Sequence, residues 1–241
     1  MTDDNDTRLR IDIVSDVVCP WCAIGYSQLK RAIDQTGTPV QILWHPFELN
    51  PQMPAEGQNL REHIVEKYGT TAEESDKTRA RLTDLGASLG FTFNFTDDSR
   101  MVNTFRAHQL IEWAETQGRQ TDMKLALLKA HFTDARDVSD IATLAAIAGE
   151  LGLDANDAEK AIGTARHAAE VRAMEKFWIE KGVRGVPSMV FNLKHLVTGA
   201  QGVETYARLL DQFRMATQDA QPAGACSCLE YACADRPHDH A

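Results

Sequence analysis

Two cysteines separated by two residues, Cys19 and Cys22, are the side chains of this sequence best placed to exchange electrons. A disulfide is opened by a thiolate, and an ordinary cysteine, with a pKa of about 8.5, supplies little of it at neutral pH. A cysteine at the mouth of a helix meets unpaired N–H groups and the positive end of the helix dipole, and both favour the anion. A second cysteine one turn further on lies within reach of the first, so the pair can close and reopen as a disulfide. In this arrangement Cys19 is the exposed nucleophile, and Cys22, deeper in the helix, resolves the mixed disulfide. Pro20 suits the first helical turn, where its missing N–H is not needed. Trp21 adds an apolar flank, as well suited to packing as to touching a substrate. The rival chemistry is half of a zinc site, completed by cysteines and histidines near the C-terminus.

The elements that hold the pair favour redox chemistry. Residues 9–14 alternate apolar and polar side chains before turning apolar, as a strand entering a core does. From residue 21 to about 35, Ile24, Leu29, Ala32 and Ile33 share one helical face, and Gly37-Thr38-Pro39 ends the helix. Residues 40–49 read as a second strand, with Trp44 and His45 as core positions. Zinc knuckles sit on turns, whereas this pair lies between a core strand and a helix.

From about residue 60 to 181 the periodicity is helical, with one strand-like patch at Phe91, Phe93 and Phe95. Ser99 is a candidate cap for a helix through Phe105, Ile111 and Trp113. Thr121 or Asp122 starts another, and Ser139-Asp140 precedes a third, closed by Gly152. A further helix spans residues 168–181. The β signal returns as a hairpin at 188–191 and 195–198, followed by a last helix at about 203–217. This order predicts an α/β protein: a thioredoxin-like fold with a large helical domain inserted after the second strand. The expected units are 8–58 with 166–217, an insertion at 59–165, and a flexible tail at 218–241.

Composition narrows the function. A net charge of −10 argues against nucleic acid, whose phosphates call for clustered Lys and Arg. No apolar run approaches the roughly 18 residues of a membrane span. The first ten residues are polar and acidic, so no secretory signal is expected and the cytoplasm is the expected compartment. There, five cysteines point to reactivity or metal binding rather than to a disulfide framework. Gly185-Val186-Pro187-Ser188 adds a proline at the start of a strand, a position compatible with a cis X–Pro bond or with an ordinary strand-initiating proline.

With these residues in place the sequence resembles the DsbA-like superfamily, and within it the FrnE-type branch related to 2-hydroxychromene-2-carboxylate isomerase. The matching segments run from Ser15-Asp16-Val17-Val18-Cys19-Pro20-Trp21-Cys22-Ala23-Ile24-Gly25 through Pro46-Phe47-Glu48-Leu49-Asn50-Pro51 and Asn103-Thr104-Phe105-Arg106-Ala107-His108. They end with Gly182-Val183-Arg184-Gly185-Val186-Pro187-Ser188 and Gly199-Ala200-Gln201. The resemblance implies a redox-active Cys19–Cys22 dithiol and a cis-Pro187 loop facing it, with Pro20, Trp21, Val186 and Pro187 contacting substrate. Asn103 and His108 either border the cleft or, the better reading for His108, are bonded internally. The expected activity is thiol–disulfide exchange on protein disulfides or small thiols. It needs no metal and no cofactor beyond the dithiol, with glutathione as an admissible co-substrate. Isomerase and kappa-type glutathione transferase relatives usually carry serine where Cys19 stands, so both cysteines weigh against the alternative of a glutathione-dependent isomerase or transferase. The tail carries Cys226, Cys228 and Cys233 with His238 and His240. Cys228 with Cys233 forms an auxiliary dithiol, or these groups capture metal, or they are incidental. Oligomeric state leaves no mark in the sequence.

Overall fold

The computed structural model describes residues 8–219. A strand β1 (Leu9–Ser15) leads into helix α1 (Pro20–Thr36) and a parallel strand β2 (Val40–Pro46). The chain then makes a two-residue strand β3 (Gln58–Asn59), helices α2 (Leu60–Tyr68) and α3 (Ala72–Leu89), and a short strand β4 (Arg100–Met101). Helices α4 (Phe105–Glu115), α5 (Gln120–Phe132), α6 (Ile141–Glu150), α7 (Ala155–Gly163) and α8 (Ala168–Glu180) follow. It closes with the hairpin β5 (Ser188–Phe191) and β6 (His195–Thr198) and helix α9 (Val203–Asp219). The main sheet has the order β2-β1-β5-β6, and β5 runs antiparallel to β1. This is the expected mixed α/β, thioredoxin-like sheet with helices inserted after the second strand. Among the described residues no helix is long and apolar enough to cross a membrane.

Strand alternation sorts β1 between two faces. Leu9, Ile11 and Ile13 join Leu29 and Ala32 of α1 and Tyr206, Leu210 and Phe213 of α9 in the main core. Val14 points the other way, into a cluster with Trp178, Val183 and Val190. Asp12 shares that second face and pairs there with Arg10 and His45. The main core continues without a break into the inserted helices through Ala107, Leu110, Trp113, Met123 and Leu127. Trp44 is the joint: its ring lies 5.0 Å from Tyr26, while its indole N–H donates to Thr121 Oγ1 at 3.0 Å and its backbone N–H to Gln120 Oε1 at 2.9 Å. Trp44 is therefore buried as expected, and His45 is half-buried on Asp12.

Two local expectations fail. Residues 91–95 are extended but belong to no sheet. Their alternation serves another purpose: Phe91, Phe93 and Phe95 pack around Phe132, and the Asn94 N–H is taken by the Phe132 carbonyl. Nor does Ser99 cap a helix. The β3–β4 ladder claims Arg100 and Met101, and the Ser99 carbonyl accepts the Leu60 N–H, so α4 cannot begin before Phe105. Smaller shifts occur at α5, which starts one residue early at Gln120, and at β2, which stops at Pro46.

The aromatic segment presses directly on α3. A methyl group on Gly86 would lie 2.6 Å from a Phe93 ring carbon and 2.7 Å from the Phe91 carbonyl. Gly86→Ala gains about 1 kcal/mol of helix propensity. Overpacking of a filled site costs about 1–3 kcal/mol, and here one neighbour is rigid backbone. The expected result is a net loss, read as a melting temperature several degrees below the wild type. A rise would mean that the segment yields.

Candidate active site

The site begins where β1 ends. Ser15 and Asp16 are fully buried, and a tight turn brings the Cys19 N–H back to the Asp16 carbonyl at 3.4 Å. Cys19 then stands at the N-cap of α1 in an extended conformation, with Pro20 in the first turn. No side chain caps this end, so the first-turn N–H groups of α1 have no side-chain acceptor. The Cys22 N–H bonds to the Cys19 carbonyl at 3.0 Å, and the two thiols lie close enough to share a hydrogen bond. That is the geometry of a pair that can close.

The second wall is the loop before β5. The Val186–Pro187 bond is cis, as the resemblance implied. The Cys19 thiol faces the Val186 carbonyl at 3.7 Å. Pro187 is buried behind that carbonyl and packs on α1. A Cβ on Gly25 would come within 3.0 Å of the Pro187 ring, which explains the glycine one turn past Cys22. The loop is tied down by Gly199 N–H to the Pro187 carbonyl at 2.7 Å and by Ser188 Oγ to the Gly185 carbonyl at 2.7 Å.

A cavity of about 550 Å³ opens over Cys19. Cys19, Pro20, Trp21 and Val186 line it; Pro187 and Cys22 do not. The opposite side comes from the inserted segment, including Tyr68, His131 and Phe132. Because that segment roofs the cysteine, Cys19 is only 4% exposed, less open than its place at a helix start suggests. Trp21 packs against the buried cluster that includes Leu82, Phe93 and Phe132, and it also lines the cavity. Asn103 and His108 stay outside the cavity wall. Asn103 caps the Phe105 N–H and donates to the Met53 carbonyl. His108 is buried against Asp16.

Electrostatics divide the two thiols. Burial pushes the Cys22 thiol well up, and Cys19 reinforces the rise. Lys124 and the Asp16 backbone N–H act in the opposite direction. Lys124, from α5, is 1% exposed, and burial lowers it to about 8. Burial also takes His131 down to about 4, so a neutral imidazole faces the cavity at neutral pH. For Asp16, burial raises the pKa, but His108, the Leu49 N–H and Lys124 outweigh it and the net shift is downward.

Sequence reasoning missed Lys124 and His131. The signal for Lys124 was there: it shares a helical stripe with Gln120, Met123, Leu127 and Leu128, all buried. A lysine on an apolar stripe is a lysine going inside. Cys228 and Cys233, the auxiliary pair, lie outside the described residues, as do Cys226, His238 and His240.

Comparison with known proteins agrees with this fold. The family profile described as a DSBA-like thioredoxin domain matches residues 10–211. The uncharacterised protein YwbO of Bacillus subtilis (strain 168) is 23% identical over 203 residues, covering 84% of this chain and 96% of that protein. A probable DsbA oxidoreductase from Streptomyces coelicolor superposes with a TM-score of 0.81 at 28% identity, over 90% of this chain and 93% of that one. The cytosolic disulfide reductase DsbM from Pseudomonas aeruginosa shares the fold, with a TM-score of 0.59 at 18% identity, over 88% and 98% of the two chains. The family match thus runs along nearly the whole described chain, which belongs to the DsbA-like thioredoxin-domain family.

Proposed function

We propose that Cys19 and Cys22 are the exchanging dithiol of this thiol–disulfide oxidoreductase, Cys19 as the attacking nucleophile and Cys22 as the resolving thiol. The observation that carries the assignment is the asymmetry of access. Cys19 reaches the cavity, whereas Cys22 lies behind it at 1% exposure. An incoming disulfide therefore meets Cys19 first. The Cys19 thiolate attacks one sulfur, the other leaves as a thiolate, and a mixed disulfide forms. Cys22 then attacks Cys19, releases the second thiolate and closes the internal disulfide; the proton it gives up balances the one the leaving thiolate takes. Run backwards, the same steps oxidise a dithiol.

Pro20, Trp21 and Val186 are the substrate contacts in this reading, with Pro187 setting the position of the Val186 carbonyl. The cavity volume suits a small disulfide or an extended peptide segment rather than a folded surface, and glutathione is a fitting co-substrate. A cytoplasmic setting belongs to the same proposal, supported by the cytosolic DsbM reductase of like fold.

The test is to mix reduced protein separately with glutathione disulfide and with a scrambled disulfide protein, then quench by alkylation and map the thiols by mass spectrometry. The expected product is a Cys19–Cys22 disulfide, preceded by a transient adduct on Cys19 alone. A pair left unoxidised by both would remove the assignment. A stable Cys19 adduct with Cys22 still free would point instead to glutathione transfer.

A further inference from the structure

Lys124 is a cation inside the protein with no ion-pair partner among the described residues. Its Nζ donates to the Ser15 carbonyl at 3.4 Å and lies 5.5 Å from the centre of the Trp44 ring. Burying an ammonium is strongly unfavourable unless a charge or a set of dipoles compensates it. One hydrogen bond at 3.4 Å, an aromatic face and an Asp16 carboxylate too far off to form an ion pair compensate only part of it. A methionine would fill the same volume at no such cost, so packing does not account for a lysine here.

What lies on the far side of that hydrogen bond does account for it. The Ser15 carbonyl and the Asp16 N–H belong to one peptide group. Lys124 donates to its oxygen, and its N–H is among the groups that favour the Cys22 thiolate. A cation on the carbonyl polarises the peptide and strengthens the N–H as a donor. The ammonium itself is within electrostatic reach of Cys22 and Cys19, and of the Asp16 carboxylate. The lysine is supplied by α5, an inserted helix, while the peptide ends β1 of the sheet domain.

We propose that Lys124 is a positioning residue for the resolving half-reaction: through the Ser15–Asp16 peptide and by its own charge it favours the Cys22 thiolate at the moment that thiolate attacks the Cys19 mixed disulfide. The role rests on the exchange reading above. The covalent balance is unchanged: the Cys22–Cys19 bond forms, the bond from Cys19 to the substrate breaks, and the departing thiolate takes up the proton Cys22 lost. Burial alone would leave Cys22 a poor nucleophile at neutral pH. Lys124 makes the second step possible without opening the core to water.

An aromatic disulfide whose thiolate is coloured separates the two steps, because one coloured thiolate leaves when Cys19 attacks and a second when Cys22 resolves. Lys124→Met removes the charge and the donor. Lys124→Gln removes the charge and keeps a donor for Ser15. A neighbouring charge shifts a pKa by about 1–3 units, and the loss of thiolate is partly offset by the greater nucleophilicity of the more basic sulfur. Both variants should therefore release the second thiolate at least about threefold more slowly relative to the first. An unchanged second phase in Lys124→Met, or full rescue by Gln, overturns the proposal. A wild-type protein that shows no second phase refutes the exchange reading instead, and this role falls with it.

Should neither variant fold, carbon-13-labelled lysine in the wild-type protein decides the matter. Coupling is reciprocal, so Lys124 must titrate at a higher pH in the reduced protein than in the disulfide form. Identical titrations in both redox states overturn the role.

Discussion

Cys19→Ser is expected to lose thiol–disulfide exchange by on the order of a thousandfold or more, while Cys22→Ser completes the first half of the reaction and stops. The asymmetry follows from the walls of the cavity. With Cys19 removed, the remaining thiol is 1% exposed, lines none of the cavity and is pushed well up by burial. It can neither reach a substrate disulfide nor ionise readily. With Cys22 removed, Cys19 still stands at the start of α1, still faces the cavity and still forms the mixed disulfide, but nothing remains to release it. Turnover of a scrambled protein substrate checks the first variant, and the mass of the trapped adduct checks the second. Residual turnover above about a hundredth of wild type in Cys19→Ser would contradict the assignment of the nucleophile. Full turnover in Cys22→Ser would favour the glutathione-dependent alternative.

The part of this site that is local in sequence was legible there. Cys19 and Cys22 announce themselves by spacing, and the strand before them and the helix after them follow from periodicity over a short window. Val186 and Pro187 were reachable because a proline between a glycine and an apolar run is itself a local signal. Groups brought in from the inserted helices were not legible as parts of the site. Lys124 and His131 stand more than a hundred residues from Cys19, and nothing in their own neighbourhood names the sulfur they approach. The 91–95 segment shows the opposite error. Alternating phenylalanines satisfy the strand pattern, yet a strand also needs a partner edge, and here the apolar faces are claimed by Phe132 and Gly86. Ser99 fails for a similar reason, since capping chemistry is outbid by a two-residue ladder to a segment about forty residues away.

His108→Leu is expected to cost about 3 kcal/mol or more at neutral pH, a fall of roughly 6–12 °C in melting temperature for a domain of this size. The reason is Asp16. Its carboxylate is fully buried: Oδ2 accepts the Leu49 N–H at 2.8 Å, and Oδ1 faces His108 Nε2 at 3.3 Å, near enough to attract but not aligned as a hydrogen bond. In the wild type, burial raises the Asp16 pKa, yet the imidazole, the Leu49 N–H and Lys124 together bring it below the ordinary range. Its stabilising contribution is thus present above the unfolded pKa of about 3.9 and lost as pH falls through the folded value. Without His108 the effect of burial loses its main opponent and the folded pKa rises. The carboxylate then opposes folding, and the cost grows as pH climbs above about 4. The gap between variant and wild type should accordingly be wide at pH 7 and narrow at pH 4, as measured by urea unfolding. Asp16→Asn added to His108→Leu removes the stranded charge and should recover part of the loss. An equal deficit at both pH values would reduce His108 to a packing residue. A pH-dependent one ties the acid stability of the fold to the residue whose carbonyl accepts the Cys19 N–H, so that the buried charge steadying the sheet end sits at the turn that places the redox pair.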